Sequence, residues 1–231
     1  MSRSKPFRFV ILLFVASLTF ACGGNATAPT EEQPELADLS GNYDVAGANP
    51  DGSTYQCVLD VARDGAVYQW NWSACGDFQG VGIQRENVVS VGWGGEECGV
   101  VSYLIQEDGA LTGLWTTGGQ TALGSEQATP VGDAGGDVVG TYSVVGANPD
   151  GSEYEGQLVV DAAGDVFRWT WDAGGNFLGV GIRQGNVVSV GWGDEKCGVA
   201  SYLVQEDGTL DSRWVYVGQT DPGGERVTPA N

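Results

Sequence analysis

Three kinds of residue in this chain carry chemistry: eight tryptophans, a set of carboxylates repeated at a fixed interval, and five cysteines. Histidine is absent, which removes the commonest general base and the commonest transition-metal ligand. No G-x-S-x-G, H-E-x-x-H or phosphate-binding loop is present either, so histidine-dependent hydrolysis is excluded. The tryptophans fall at Trp70, Trp72, Trp93 and Trp115, and again at Trp169, Trp171, Trp192 and Trp214. Alternation with polar neighbours puts them on one sheet face. There they serve either as core or as an aromatic platform for a sugar or peptide, and all eight are candidate ligand-binding residues.

The constant offset of 99 is the second observation. Gly41–Pro130 aligns with Gly140–Pro229 without a gap, and roughly 50 of the 90 pairs are identical. Carboxylates kept in both copies are Asp51/Asp150, Glu96/Glu195, Glu107/Glu206, Asp108/Asp207 and Glu126/Glu225. The Asp-Gly pairs read as turns. Glu126 and Glu225 lie near the end of a final strand and can point inward, but a two-carboxylate glycosidase needs a second acid across a cleft, such as Glu96 opposite Glu126. Asn49–Ser53 is similar to the D-x-D-G core of a Ca²⁺ loop, yet Gly47 stands in place of the first ligand and Val58 in place of the bidentate acid. No cofactor and no metal is expected.

Those residues must be positioned by strands. Glycine numbers 38, and apolar residues alternate with polar ones in short runs between turn signals such as Asn49-Pro50-Asp51-Gly52 and Asp64-Gly65. Each copy reads as about eight short antiparallel strands in succession. An all-β up-and-down meander closed into a small barrel would have no free edges, and an open sandwich is the alternative. The expected organisation is a β module at 40–131, a linker at 132–137 and a β module at 138–231. With a full set of strands in each, residues 138–231 are expected to fold alone.

Cys57 and Cys75 are both glycine in the second copy (Gly156 and Gly174), and this joint difference predicts a disulfide between them. Against it, a two-residue loop at Asp64-Gly65 places Cys57 opposite Trp72, so a bulge or longer loop is required. Cys98 and Cys197 correspond to each other. They are read as buried thiols, or as a pair if the modules pack symmetrically.

At the N-terminus, three cations precede an apolar run from Val10 to Phe20, too short to cross a bilayer but suited to a signal peptide. Ala21-Cys22-Gly23 after it resembles a bacterial lipobox, with Thr19 where Leu is usual. This implies a signal peptide at 1–21, lipidation at Cys22 and a disordered tether at 22–39. The net charge of −20 repels nucleic acid and anionic lipid, leaving the membrane as a partner only through the lipid anchor.

The repeated G-x-Y-x-V-x-G-x-N-P-D-G-S, with V-G-W-G, C-G-V-x-S-Y, D-G-x-L and G-x-E after it, resembles a family of small exported bacterial proteins, some labelled fibronectin-binding. A fainter similarity links Gly41-Asn42-Tyr43 and Gly140-Thr141-Tyr142 to the G-x-W that opens calycin-like barrels. The leader, the tethered, acidic and duplicated design and the lack of catalytic motifs together lead to the expectation of an outer-membrane lipoprotein facing the periplasm or cell surface that binds a protein or matrix partner and is not an enzyme. The alternative is a carrier of a small ligand or glycan in a Trp-lined barrel cavity.

Overall fold

The computed structural model describes residues 36–132 and 138–230, and every regular element in them is a β-strand. The proposed signal peptide, Cys22 and most of the expected tether and linker lie outside the described residues. The first copy supplies β1 (Gly41–Ala48), β2 (Thr54–Asp64), β3 (Val67–Ser73), β4 (Phe78–Arg85), β5 (Val88–Trp93), β6 (Gly99–Ile105), β7 (Leu111–Thr117) and β8 (Gly124–Pro130). The second supplies β9 (Gly140–Ala147), β10 (Glu153–Ala163), β11 (Val166–Ala173), β12 (Asn176–Gln184), β13 (Val187–Trp192), β14 (Gly198–Val204), β15 (Leu210–Tyr216) and β16 (Gly223–Pro229).

These strands close into two antiparallel eight-stranded barrels. Each has the expected meander order, but neither is made from one repeat. The first barrel runs β1 to β5 and then continues through β14, β15 and β16, which closes on β1. The second runs unbroken from β6 to β13, with β13 closing on β6. The division at 40–131 and 138–231 therefore marks the sequence repeat but not the barrels, and an isolated repeat contains neither of them.

The cause lies at the crossover. A hairpin after β5 would pair it with β6; instead the chain runs on through Gly94–Cys98 into the other barrel, and 193–197 makes the return crossing. Three features hold the two crossings together. Gly92 and Gly191 let the barrels approach, since a Cβ on Gly92 would stand 2.7 Å from the carbonyl oxygen of Gly99 and 2.9 Å from Val100 Cβ. Four fully buried serines form a chain, Ser102–Ser90–Ser189–Ser201, with oxygen separations of 2.9, 2.7 and 2.8 Å. Each hydroxyl is thereby satisfied where water cannot reach it. Finally, Cys98 and Cys197 are joined by a disulfide, their Cα atoms 5.3 Å apart. Of the two readings of these cysteines, the paired one holds: the barrels meet about a pseudo-two-fold axis that brings equivalent residues face to face.

Apolar side chains on the outer faces complete the junction. Val166, Val180 and Ile182 of the second barrel pack against Val199, Val215 and Val217 of the first, while Val67, Val81 and Ile83 of the first pack with Val100 of the second. This explains why Val88–Val91 and Val187–Val190 are buried at successive positions, where a strand with one wet face would alternate.

Inside each barrel the core is aromatic and filled. Trp70 stacks on Tyr202 at 4.8 Å between ring centroids, and its equivalent Trp169 on Tyr103 at 5.2 Å. The end opposite the Asn49 turn is plugged in the first barrel by Leu39, whose carbonyl accepts from the Tyr43 hydroxyl; Val138 and Tyr142 repeat the contact in the second. Leu39, expected to be the last residue of the tether, is a core residue instead.

The Cys57–Cys75 disulfide is present, with Cα atoms 5.2 Å apart. The register objection to it falls because the two-residue turn is Gly65-Ala66. Asp64 pairs with Val67, so Leu59, not Cys57, faces Trp72. Beyond Ser73 the chain leaves the strand, Ala74 turning with φ of 68°, and Cys75 comes back to Cys57.

Candidate functional site

The cores are filled through the middle but open at the mouth. The mouth of the first barrel holds a cavity of about 200 Å³ and that of the second one of about 130 Å³. Both are smaller than the roughly 300–1,000 Å³ of sites that enclose a whole drug-sized molecule. Each has room for one chemical group.

The first mouth is walled by Trp72, Trp93, Trp214, Phe78 and Tyr55, with Glu225 at its base. The second repeats this with Trp171, Trp192, Trp115, Phe177 and Tyr154 around Glu126. Six of the eight candidate tryptophans are therefore brought to the two mouths. Trp70 and Trp169 are not; each lies wholly buried beneath, as core. The aromatic walls are set edge to face. Trp93 and Trp214 are 6.1 Å apart with planes at 76°, and Trp192 and Trp115 are 6.4 Å apart at 72°. Phe78 and Phe177 pack against the Trp93 and Trp192 rings. The two cups differ on one side, where the Cys57–Cys75 disulfide lines the first and Ala173-Gly174 the second.

The glutamates are the polar centre. The Tyr202 and Tyr55 hydroxyls each donate to an oxygen of Glu225, the latter at 2.8 Å. Glu126 accepts from Tyr103, from Tyr154 at 3.0 Å and from the indole N–H of Trp171 at 3.2 Å. Burial raises both carboxyls above the ordinary range, although their hydroxyl and indole donors pull the other way. Burial and the adjacent carboxylate push all four tyrosine hydroxyls up, so they remain donors. No Lys or Arg lines either mouth among the described residues.

A carboxyl whose folded pKa is raised adds stability below its unfolded value, near 4.5, and loses it as pH rises through the folded value. Glu225 faces Tyr202, Tyr55 and Trp72, and Glu126 faces Tyr103, Tyr154 and Trp171, none of which carries charge across that range. The Glu126→Gln, Glu225→Gln double variant should therefore gain thermal stability relative to the parent as pH is raised from 4 to 8. A melting-temperature difference that stays constant over that range would show that the two carboxyls do not titrate as their burial requires.

Inward-facing Glu126 and Glu225 were legible as strand-end acids; their tyrosine partners were not. Tyr55 and Glu225 are 170 positions apart and on different repeats. Glu96 stands exposed in the crossover and Glu126 lies buried beneath its mouth, so the two do not form a carboxylate pair. Asp51 is engaged by the Ser53 amide and hydroxyl within its own turn. Comparison with known protein families, with characterised proteins and with solved structures finds no match to this chain.

Proposed function

We propose that this is an exported, membrane-anchored binding protein whose two barrel mouths each take up a small ligand or the terminal group of a larger one, without chemical conversion. The observation that carries the reading is the same cup built twice: three tryptophans, a phenylalanine and a tyrosine around one carboxyl, buried at Glu126 and half-buried at Glu225. Tryptophan offers a flat apolar face, and a single polar group at the base fixes orientation, which is how compact ligand sites obtain specificity. Of the two functions expected from sequence, this favours the small-ligand or glycan carrier. A protein or matrix partner displaying such a group remains compatible with it, since Phe177 and Leu178 stand 39% and 56% exposed beside the second mouth. Two mouths on one chain would add avidity toward a surface carrying many copies of the group.

Pocket tryptophan fluorescence reports the binding directly. Titration with sugars, small aromatics and amines should give a saturable change for one class, with two sites per chain. The Trp93→Ala, Trp192→Ala variant removes one wall from each cup and should abolish the change. A variant that binds as the parent does would move the site away from the mouths.

A further inference from the structure

We propose that the group received in each mouth is an alkylated ammonium cation, a trimethylammonium headgroup being the type; this deepens the binding function above and rests on it. Three features of the cup converge on that chemistry. The first is a carboxyl at the base of each mouth with no Lys or Arg among the residues lining it. A buried carboxylate without a cationic neighbour is costly unless something of opposite charge comes to it.

The second is the wall. Trp93 and Trp214 meet edge to face with their planes at 76°, and Trp72, Tyr55 and Phe78 complete the enclosure; Trp192 and Trp115 meet likewise at 72°, with Trp171, Tyr154 and Phe177 around them. An enclosure of electron-rich rings attracts a diffuse cation to the ring faces that border it, and tryptophan does so best.

The third feature separates an alkylated ammonium from a primary one. A primary ammonium brings three N–H donors that each need an acceptor. Of the roughly four acceptor sites on a carboxylate, Tyr202 and Tyr55 take two on Glu225, and Tyr103, Tyr154 and Trp171 take three on Glu126, so neither carboxylate keeps the three that a primary ammonium asks for. A cation sheathed in methyl groups asks for no hydrogen bond. It needs only apolar contact and the field of the carboxylate. The cavities of about 200 and 130 Å³ suit a headgroup, with the remainder of the molecule leaving through the mouth. The acidic surface, at −20 overall, would also concentrate cations near it.

The test is calorimetric titration of the full chain with choline and tetramethylammonium against 3,3-dimethylbutan-1-ol, the uncharged carbon counterpart of choline. Choline binding at least about tenfold tighter than the neutral alcohol is expected, with the gap closing in the Glu126→Gln, Glu225→Gln variant. Equal affinity for choline and the alcohol in the parent protein would overturn the cation assignment while leaving the mouths as apolar ligand sites. That comparison needs no variant to fold. Binding of neither probe, with a saturable response to a sugar or an aromatic acid, would also overturn the assignment. No saturable response to any class would remove the binding function with it. Sedimentation with phosphatidylcholine vesicles distinguishes the two sources of the group. Co-sedimentation that free choline competes away assigns a lipid headgroup, and choline binding without co-sedimentation assigns a soluble solute.

Discussion

A single repeat, residues 138–231, should form a dimer. In the full chain β14 pairs with β5, β16 with β1, β13 with β6 and β9 with β8, so the second repeat satisfies none of these edges by itself. The first repeat offers near-copies of the strands it pairs with: Val88-Val89-Ser90-Val91-Gly92-Trp93 is identical to 187–192, and Gly99–Ile105 differs from Gly198–Val204 at two positions. Two second repeats can therefore exchange strands as the two halves of the chain do, replacing a pseudo-two-fold with a true one. Sedimentation equilibrium should give twice the fragment mass. Non-reducing electrophoresis should show a covalent dimer through Cys197 of both copies, as Cys98 and Cys197 are joined in the parent. A monomeric fragment with native near-ultraviolet dichroism would mean that 193–197 can fold back into a hairpin and that the crossover is not obligatory.

The second large effect lies beneath the mouths. Trp70 and Trp169 are fully buried and stack on Tyr202 and Tyr103. Their strand neighbours make the space. A Cβ on Gly82 would come within 2.5 Å of the Trp70 indole nitrogen, and one on Gly181 within 2.3 Å of that of Trp169, so no side chain could share these sites. Replacing either tryptophan by alanine leaves a void that its glycine cannot fill and should cost about 3–5 kcal/mol in urea denaturation. Trp93→Ala, half-buried at a mouth, should cost clearly less. Equal losses at Trp70 and Trp93 would contradict the division between a core tryptophan below and a ligand-facing one above.

Much of this structure was legible in the sequence. Alternation placed Tyr55, Cys57, Leu59 and Val61 on one face of β2 and Tyr68, Trp70 and Trp72 on one face of β3, and the two faces share the core of the first barrel. The joint loss of two cysteines identified a disulfide that local register argued against, because the turn sits at Gly65-Ala66 and Ala74 leaves the strand. What periodicity could not carry was partner choice. A strand with the sequence V-V-S-V-G-W finds almost the same neighbour in its own repeat and in the other, so local pattern is silent on which one it takes. The deciding residues are Gly92, Gly191, the four serines and the two crossover cysteines, and they act between copies. The same holds for the mouths. Trp72, Trp93 and Glu225 were each visible as inward residues, but nothing within one repeat brings Glu225 to Tyr55.

Because each cup takes its base from one repeat and most of its wall from the other, neither half of the chain is heir to a whole site. Ordinary duplication frees one copy to drift while the other keeps the ancestral role. Here a change at Glu225 is felt by a cup whose Tyr55 and Trp93 are written in the first repeat, and a change at Glu126 by a cup whose Tyr154 and Trp192 are written in the second. The two specificities can part company, as the disulfide on one side and Gly174 on the other already show, but a change in either repeat falls on residues that one cup or the other depends on. A lineage that discarded one repeat would carry part of a cup on each chain and could complete one only where two chains exchange strands.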